Sequence, residues 1–194
     1  MKYFIFLLGL CVGIFPLSYL AYNVLLQNYG AEPTKRILHF LGDWSIYFIL
    51  ISLLFSSFSR FLKASFINKN FKILRKIAGL HGLFYAILHF LAYVIFEQDG
   101  NVKNTLSEIL LRVYLFFGFW ALIGLFILGF FSFFFSRYFY LISSLSYLVG
   151  LLSSIHYLLG QKIPSITSYI IFMIFLILIC VKLLSKNLTN KDIK

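Results

Sequence analysis

The length of the apolar runs constrains this chain more than any other feature. A helix needs about 20 mostly apolar residues to cross a hydrocarbon core. Six stretches reach that length, at about 3–26, 37–59, 75–96, 111–135, 139–159 and 164–184. In lipid each span must satisfy its own backbone polar groups, so runs of this length read as helices. The expected fold is an all-α integral membrane protein, a six-transmembrane-helix bundle forming one domain over residues 1–194. Charged residues make up only 12% of the chain, against about 25% in a soluble domain.

Pro33, Gly100 and Pro164 stand at the edges of runs, where breakers belong. Pro16 lies inside the first run and is expected to kink it. That run extends from just after Lys2 to Leu26. It is longer than a signal-peptide core of about 7–15 residues and has no A-x-A-like cleavage site, so it reads as a span. No internal repeat is visible.

The net charge of +11 would suggest nucleic acid in a soluble protein. Here the charges lie between apolar spans, so they read as topology signals and contacts with the headgroups of the bilayer. No nucleic-acid partner is expected. One side carries 12 basic residues: Lys2, Arg60, Lys63, Lys69, Lys72, Arg75, Lys76, Arg137, Lys182, Lys186, Lys191 and Lys194. The other carries five, Lys35, Arg36, Lys103, Arg112 and Lys162, together with Glu32, Glu97, Asp99 and Glu108. The positive-inside rule then places both termini in the cytoplasm, with the loops at 27–36, 97–110 and 160–163 outside.

There is no Gly-rich phosphate loop, no Cys-x-x-Cys and no His-Glu-x-x-His. Cys11 and Cys180 read as small apolar fillers. The histidines are more informative, because an ionisable group in hydrocarbon is costly and usually functional. His89 lies 14 residues into the third run and His156 lies 17 into the fifth. These two spans run in the same direction, so the imidazoles reach similar depths in the outer half of the membrane. That arrangement suits two axial nitrogens on one haem iron. The same faces carry Ala86, Gly82 and Gly79, and Ser153, Val149, Ser146 and Ser143. Small residues there leave room for a flat macrocycle, and they also suit ordinary helix packing.

His81 lies eight residues before His89, about 12 Å toward the cytoplasm and about 80° around the helix. Leu148 holds the equivalent depth on the fifth span, so His81 reads as a buried, hydrogen-bonded histidine. His39 opens the second span at the outer surface, where it suits a haem propionate, a quinone or the headgroup region. Asp43, just inside the same span, is expected to pair with a nearby base.

Four stretches in combination resemble a known family: GAEPTKRILHFLGDWSIYFIL (30–50), RKIAGLHGLFYAILHFLAYVIFE (75–97), RVYLFFGFWALIGLFILGFFS (112–132) and SYLVGLLSSIHYLLGQK (146–162). This is the family of haem-binding membrane subunits of the bacterial periplasmic methionine-sulfoxide reductase system (MsrQ, also called YedZ), within the wider ferric-reductase-like transmembrane domains. The resemblance implies a b-type cytochrome in the bacterial inner membrane. It would carry electrons from the quinol pool to a periplasmic, molybdopterin-containing methionine-sulfoxide reductase. FMN is implied by the resemblance alone. His89 and His156 would be the metal ligands. Arg112 matches an arginine of the family's R-x-Y-L and would pair with a propionate or anchor to headgroups. Lys35, Arg36 and Lys162 suit the same role.

One position departs from the family. Ser143 stands where the family usually has a further histidine on the fifth span, and the equivalent depth on the third span holds Lys76. One haem b per chain is therefore expected. Two other readings stay open at this point: a haem-free small transporter or assembly factor, and a ferric-reductase-type electron conduit with another partner. Against the first, inverted repeats and broken mid-membrane helices are absent from the sequence.

Overall fold

The computed structural model describes residues 2–26, 32–61 and 65–191, and all regular structure among them is helical. The elements are α1 (Lys2–Leu26), α2 (Pro33–Phe61), α3 (Ser65–Phe96), α4 (Val102–Leu111), α5 (Val113–Phe134), α6 (Phe139–Ile142), α7 (Leu145–Leu159) and α8 (Ile166–Lys191). Lys63, Lys194 and the outer-loop residues 27–31 lie outside the described residues.

Two closely packed pairs, α2 with α3 and α5 with α7, form the centre of the bundle. They join through α2 against α7 and α3 against α5. α1 covers α3 and α8 covers α7. The main core lies between the pairs, around Ile46, Ile49, Leu53, Leu125, Val149 and Phe175. Apolar area alone does not drive helices together in lipid, so close packing and interhelical hydrogen bonds must. Ser45 Oγ donates to the Gly82 carbonyl at 3.0 Å, and Ser52 Oγ donates to the Arg75 carbonyl at 3.0 Å. Gly82 admits α2 closely, since a Cβ there would lie 2.9 Å from Ile49 Cγ1 and 3.3 Å from its backbone nitrogen.

Among the described residues, five helices are long and apolar enough to cross a membrane, within Gly9–Leu26, Pro33–Ser59, Asn70–Phe96, Val113–Phe134 and Ile166–Leu184. The run at 139–159 differs from the expected unbroken span. It divides at Ser143–Ser144 into the single turn of α6 and the 15-residue α7. Serine hydroxyls take up the carbonyls at the break. Ser143 Oγ donates to the Tyr140 carbonyl at 2.9 Å, and Ser146 Oγ donates to the Ser143 carbonyl at 2.6 Å. Such local bonds compete with the helical ladder. α7 alone is about 22 Å long, shorter than a hydrocarbon core of about 30 Å.

Two expected loops are partly helical. α3 begins at Ser65, so Lys69, Lys72, Arg75 and Lys76 ride on a helix. The segment at 97–110 contains α4, capped by Asn101, whose side chain accepts the Asn104 N–H at 3.1 Å. α1 runs through Pro16 without interruption, and Pro16 is fully buried. Cys11 and Cys180 are free thiols exposed on the outer helices α1 and α8.

The α2–α3 contact yields a stability prediction. Gly82→Val should destabilise the protein by about 1–3 kcal/mol, the usual cost of overpacking. Gly79→Ala should cost less, because its Cβ would meet only Ser52 Oγ at 3.3 Å. Unfolding midpoints of the two variants in detergent check the order.

Candidate functional site

The sequence places His89 near the end of α3 and His156 near the end of α7. The fold brings their rings together, with centroids 6.1 Å apart and planes at 73°. Each Nδ1 is held by a backbone carbonyl of a neighbouring helix. His89 Nδ1 bonds the Leu38 oxygen of α2 at 2.9 Å, and His156 Nδ1 bonds the Tyr114 oxygen of α5 at 2.7 Å. A carbonyl only accepts, so both Nδ1 atoms carry the proton. A neutral ring then keeps its lone pair on Nε2.

The two contacts use the same local device. In a helix the carbonyl of residue i normally accepts the N–H of residue i+4. Four residues after Leu38 comes Gly42, and four after Tyr114 comes Gly118. A Cβ on Gly42 would lie 3.1 Å from His89 Cε1, and one on Gly118 would lie 2.6 Å from His156 Nδ1. Glycine clears the space through which each imidazole reaches a carbonyl that is already part of a helical ladder. Sequence reading missed these glycines. Their signal is that the chain's two tryptophans each follow one of them by two places, in Gly42-Asp43-Trp44 and Gly118-Phe119-Trp120.

Both histidines line a cavity of about 580 Å³ between α2, α3, α5 and α7, within the range of about 300–1,000 Å³ for small-molecule and cofactor sites. Its deep wall is apolar, with Ile46, Ile49, Leu122 and Leu125. Ala86 and Ser153 line it as expected, whereas Gly79, Ser143, Ser146 and Val149 line a separate cavity at the opposite end of the bundle.

The mouth of the larger cavity is polar and includes Lys35, His39, Glu97 and Arg112. His39 is exposed there. Arg112 joins α4 to α5, forms an ion pair with Glu108 and donates to the Tyr114 hydroxyl at 3.3 Å. The Tyr114 bond, aided by the Glu108 charge, raises the Arg112 pKa above its ordinary value. Lys35 is paired with Glu32 at 3.0 Å. Asp43 interacts with the Tyr157 hydroxyl and lies within electrostatic reach of His39.

His81 belongs to a different environment. It is buried, its Nδ1 bonds the Ile77 carbonyl of its own helix at 2.8 Å, and its ring packs on Phe48 at 5.2 Å. Its Nε2 edge lies against Gly13 of α1, where a Cβ would collide with it.

Residues 41–153 match the family described as the ferric reductase like transmembrane component. This stretch includes His89 and ends three residues before His156. The chain is 31% identical over 159 residues to the protein-methionine-sulfoxide reductase heme-binding subunit MsrQ of Enterobacter sp. (strain 638), covering 79% of this chain and 78% of that one. It is 27% identical over 178 residues to the MsrQ subunit of Pasteurella multocida (strain Pm70), covering 88% and 84%. It is 29% identical over 160 residues to that of Salmonella arizonae, covering 79% and 78%.

The glycine device predicts a tautomer. Nitrogen NMR of histidine-labelled protein should show His89 and His156 as Nδ1–H imidazoles. Gly118→Val should remove that signature from His156 and leave it on His89.

Proposed function

This chain belongs to the ferric-reductase-like transmembrane family and, within it, to the MsrQ haem-binding subunits of protein-methionine-sulfoxide reductases, and we propose that it is a b-type cytochrome of a membrane electron-transfer chain. His89 and His156 would hold its haem iron. The observation that carries this reading is the pair of rings with tethered Nδ1 atoms and centroids 6.1 Å apart. A histidine nitrogen binds a metal at about 2.0 Å. Adding about 1.2 Å from nitrogen to ring centre, two imidazoles on opposite sides of one ion would have centroids about 6.4 Å apart. The donor set suits haem iron, which takes histidine nitrogens in an apolar pocket.

Bound haem supplies one-electron transfer. The chain's residues divide the remaining work. The Leu38 and Tyr114 carbonyls fix ring orientation and make the imidazoles stronger donors. Gly42 and Gly118 keep that approach open. Ile46, Ile49, Leu122 and Leu125 exclude water from the deep wall. His39 and Arg112 stand at the polar mouth, where propionates would leave the apolar interior, and Arg112 does so already compensated by Glu108.

One haem b per chain is supported by the setting of His81, which bonds the Ile77 carbonyl, packs on Phe48 and abuts Gly13. The electron acceptor is a methionine-sulfoxide reductase, supported by the names of the relatives, and its periplasmic location rests on the family resemblance. Its molybdopterin, the quinol donor, the bacterial inner membrane and any FMN rest on the family resemblance. The bundle crosses six times, with α6 and α7 together completing the fifth passage. Both termini are cytoplasmic, supported by the 12-to-5 distribution of basic residues.

His89→Ala and His156→Ala should each abolish the dithionite-reduced b-type spectrum, while His81→Ala should largely keep it. Loss with His81→Ala and retention with His89→Ala would overturn the ligand assignment. Haem extraction against amino-acid analysis should give a ratio near one with a single redox transition. A C-terminal fusion reporter active only in the periplasm would refute the orientation.

A further inference from the structure

The second cavity, about 200 Å³ in volume, lies at the opposite end of the bundle from the two histidines. Its inner wall is apolar, formed by Ile49, Leu53, Leu125, Leu128 and Val149. Its rim holds Lys72, Arg75 and Lys76, with serines contributed by α2, α5 and the α5–α7 connection. Among the described residues, no aspartate or glutamate lines it. The acidic residues Asp43, Glu97 and Glu108 line the other cavity.

The three cations occupy positions i, i+3 and i+4 of α3 and so share one face. Like charges at that spacing destabilise a helix, and the apolar wall beside them strengthens the repulsion. Hydrogen bonds and ring faces are among their contacts. Lys76 Nζ donates to the Ser132 carbonyl at 2.8 Å and lies over Phe133. Arg75 Nη1 donates to Ser56 Oγ at 3.5 Å, and its guanidinium lies over Phe139. Lys72 is exposed at the rim. An ammonium has three N–H donors, and the Ser132 carbonyl uses one of those on Lys76. The rim therefore offers positive charge and hydrogen-bond donors directly above an apolar slot between membrane helices.

We propose that this cavity is a binding site for an anionic phospholipid, with the phosphate held by Lys72, Arg75 and Lys76 and the start of an acyl chain against the apolar wall. Basic pockets between membrane helices select acidic headgroups by this combination of charge and apolar depth. A soluble phosphate would match the rim but leave the slot unused. The two cavities share Ile49 and Leu125 in their walls and open at opposite ends of the bundle, and the test is read without reference to haem.

The test is native mass spectrometry of the purified full-length chain in neutral detergent, with phosphatidylglycerol or phosphatidylcholine added. One phosphatidylglycerol should remain bound per chain, and phosphatidylcholine should not. Lys72→Gln/Lys76→Gln should weaken retention roughly 30-fold, the effect of two such charges, whereas Lys72→Arg/Lys76→Arg should keep it. Ser143→Phe, which fills the slot and leaves the cations, should also lose the lipid. Size-exclusion profiles and unfolding midpoints identify any variant that misfolds, and the arginine variant keeps the comparison decisive. Equal retention of the two lipids would overturn the proposal. So would equal loss in the control Lys103→Gln/Lys162→Gln, or full retention in Ser143→Phe. Displacement of phosphatidylglycerol by millimolar inorganic phosphate or by flavin mononucleotide would also overturn it, showing a phosphate site with a soluble occupant.

Discussion

An imidazole buried among membrane helices has two nitrogens to satisfy, and inside a helix the backbone N–H groups are already bonded while each carbonyl keeps a second lone pair, so the backbone there serves the protonated nitrogen. The geometry of the larger cavity depends on that asymmetry. The Leu38 and Tyr114 carbonyls take the Nδ1 protons of His89 and His156. Two Nε2 lone pairs are left without a backbone partner, on rings that face each other across the cavity. Polar atoms in such a setting are costly unless something binds them. His81 shows the alternative outcome. It bonds within its own helix and packs against Phe48 and Gly13.

The bundle is built to present those rings. Each closely packed helix pair contributes one histidine, one acceptor carbonyl and one glycine: Leu38, Gly42 and His89 from α2–α3, and Tyr114, Gly118 and His156 from α5–α7. Packing the pairs together brings the half-sites into register and also creates the main apolar core. Glycine serves both purposes, because close approach is what a membrane bundle has in place of a hydrophobic driving force. The two ends of the bundle differ in charge. Acidic and basic groups are mixed around the mouth of the histidine cavity, whereas the polar groups that line the smaller cavity are, among the described residues, cations and serines.

Much of this was legible in the sequence by itself. Apolar run length determined that the chain is helical and membrane-embedded, because an isolated span must satisfy its own backbone. Helical rise along the third and fifth runs put His89 and His156 at one expected depth and His81 at another, and the fold brings the first two rings to 6.1 Å. The pattern of basic residues marked one end of the bundle, though not that Lys72, Arg75 and Lys76 would converge on a cavity. Only the tertiary structure decided the rest. Run length says nothing about where a serine hydroxyl captures a carbonyl, so the break at Ser143–Ser144 was hidden inside an apolar stretch. Composition places Arg112 at a span end, but its pairing with Glu108 required α4 to form and turn into α5. The roles of Gly42 and Gly118 depend on which ring enters the space beside them, 47 and 38 residues further along the chain. Helical periodicity reports the faces of one helix, and it contains no information about the neighbour that a glycine admits.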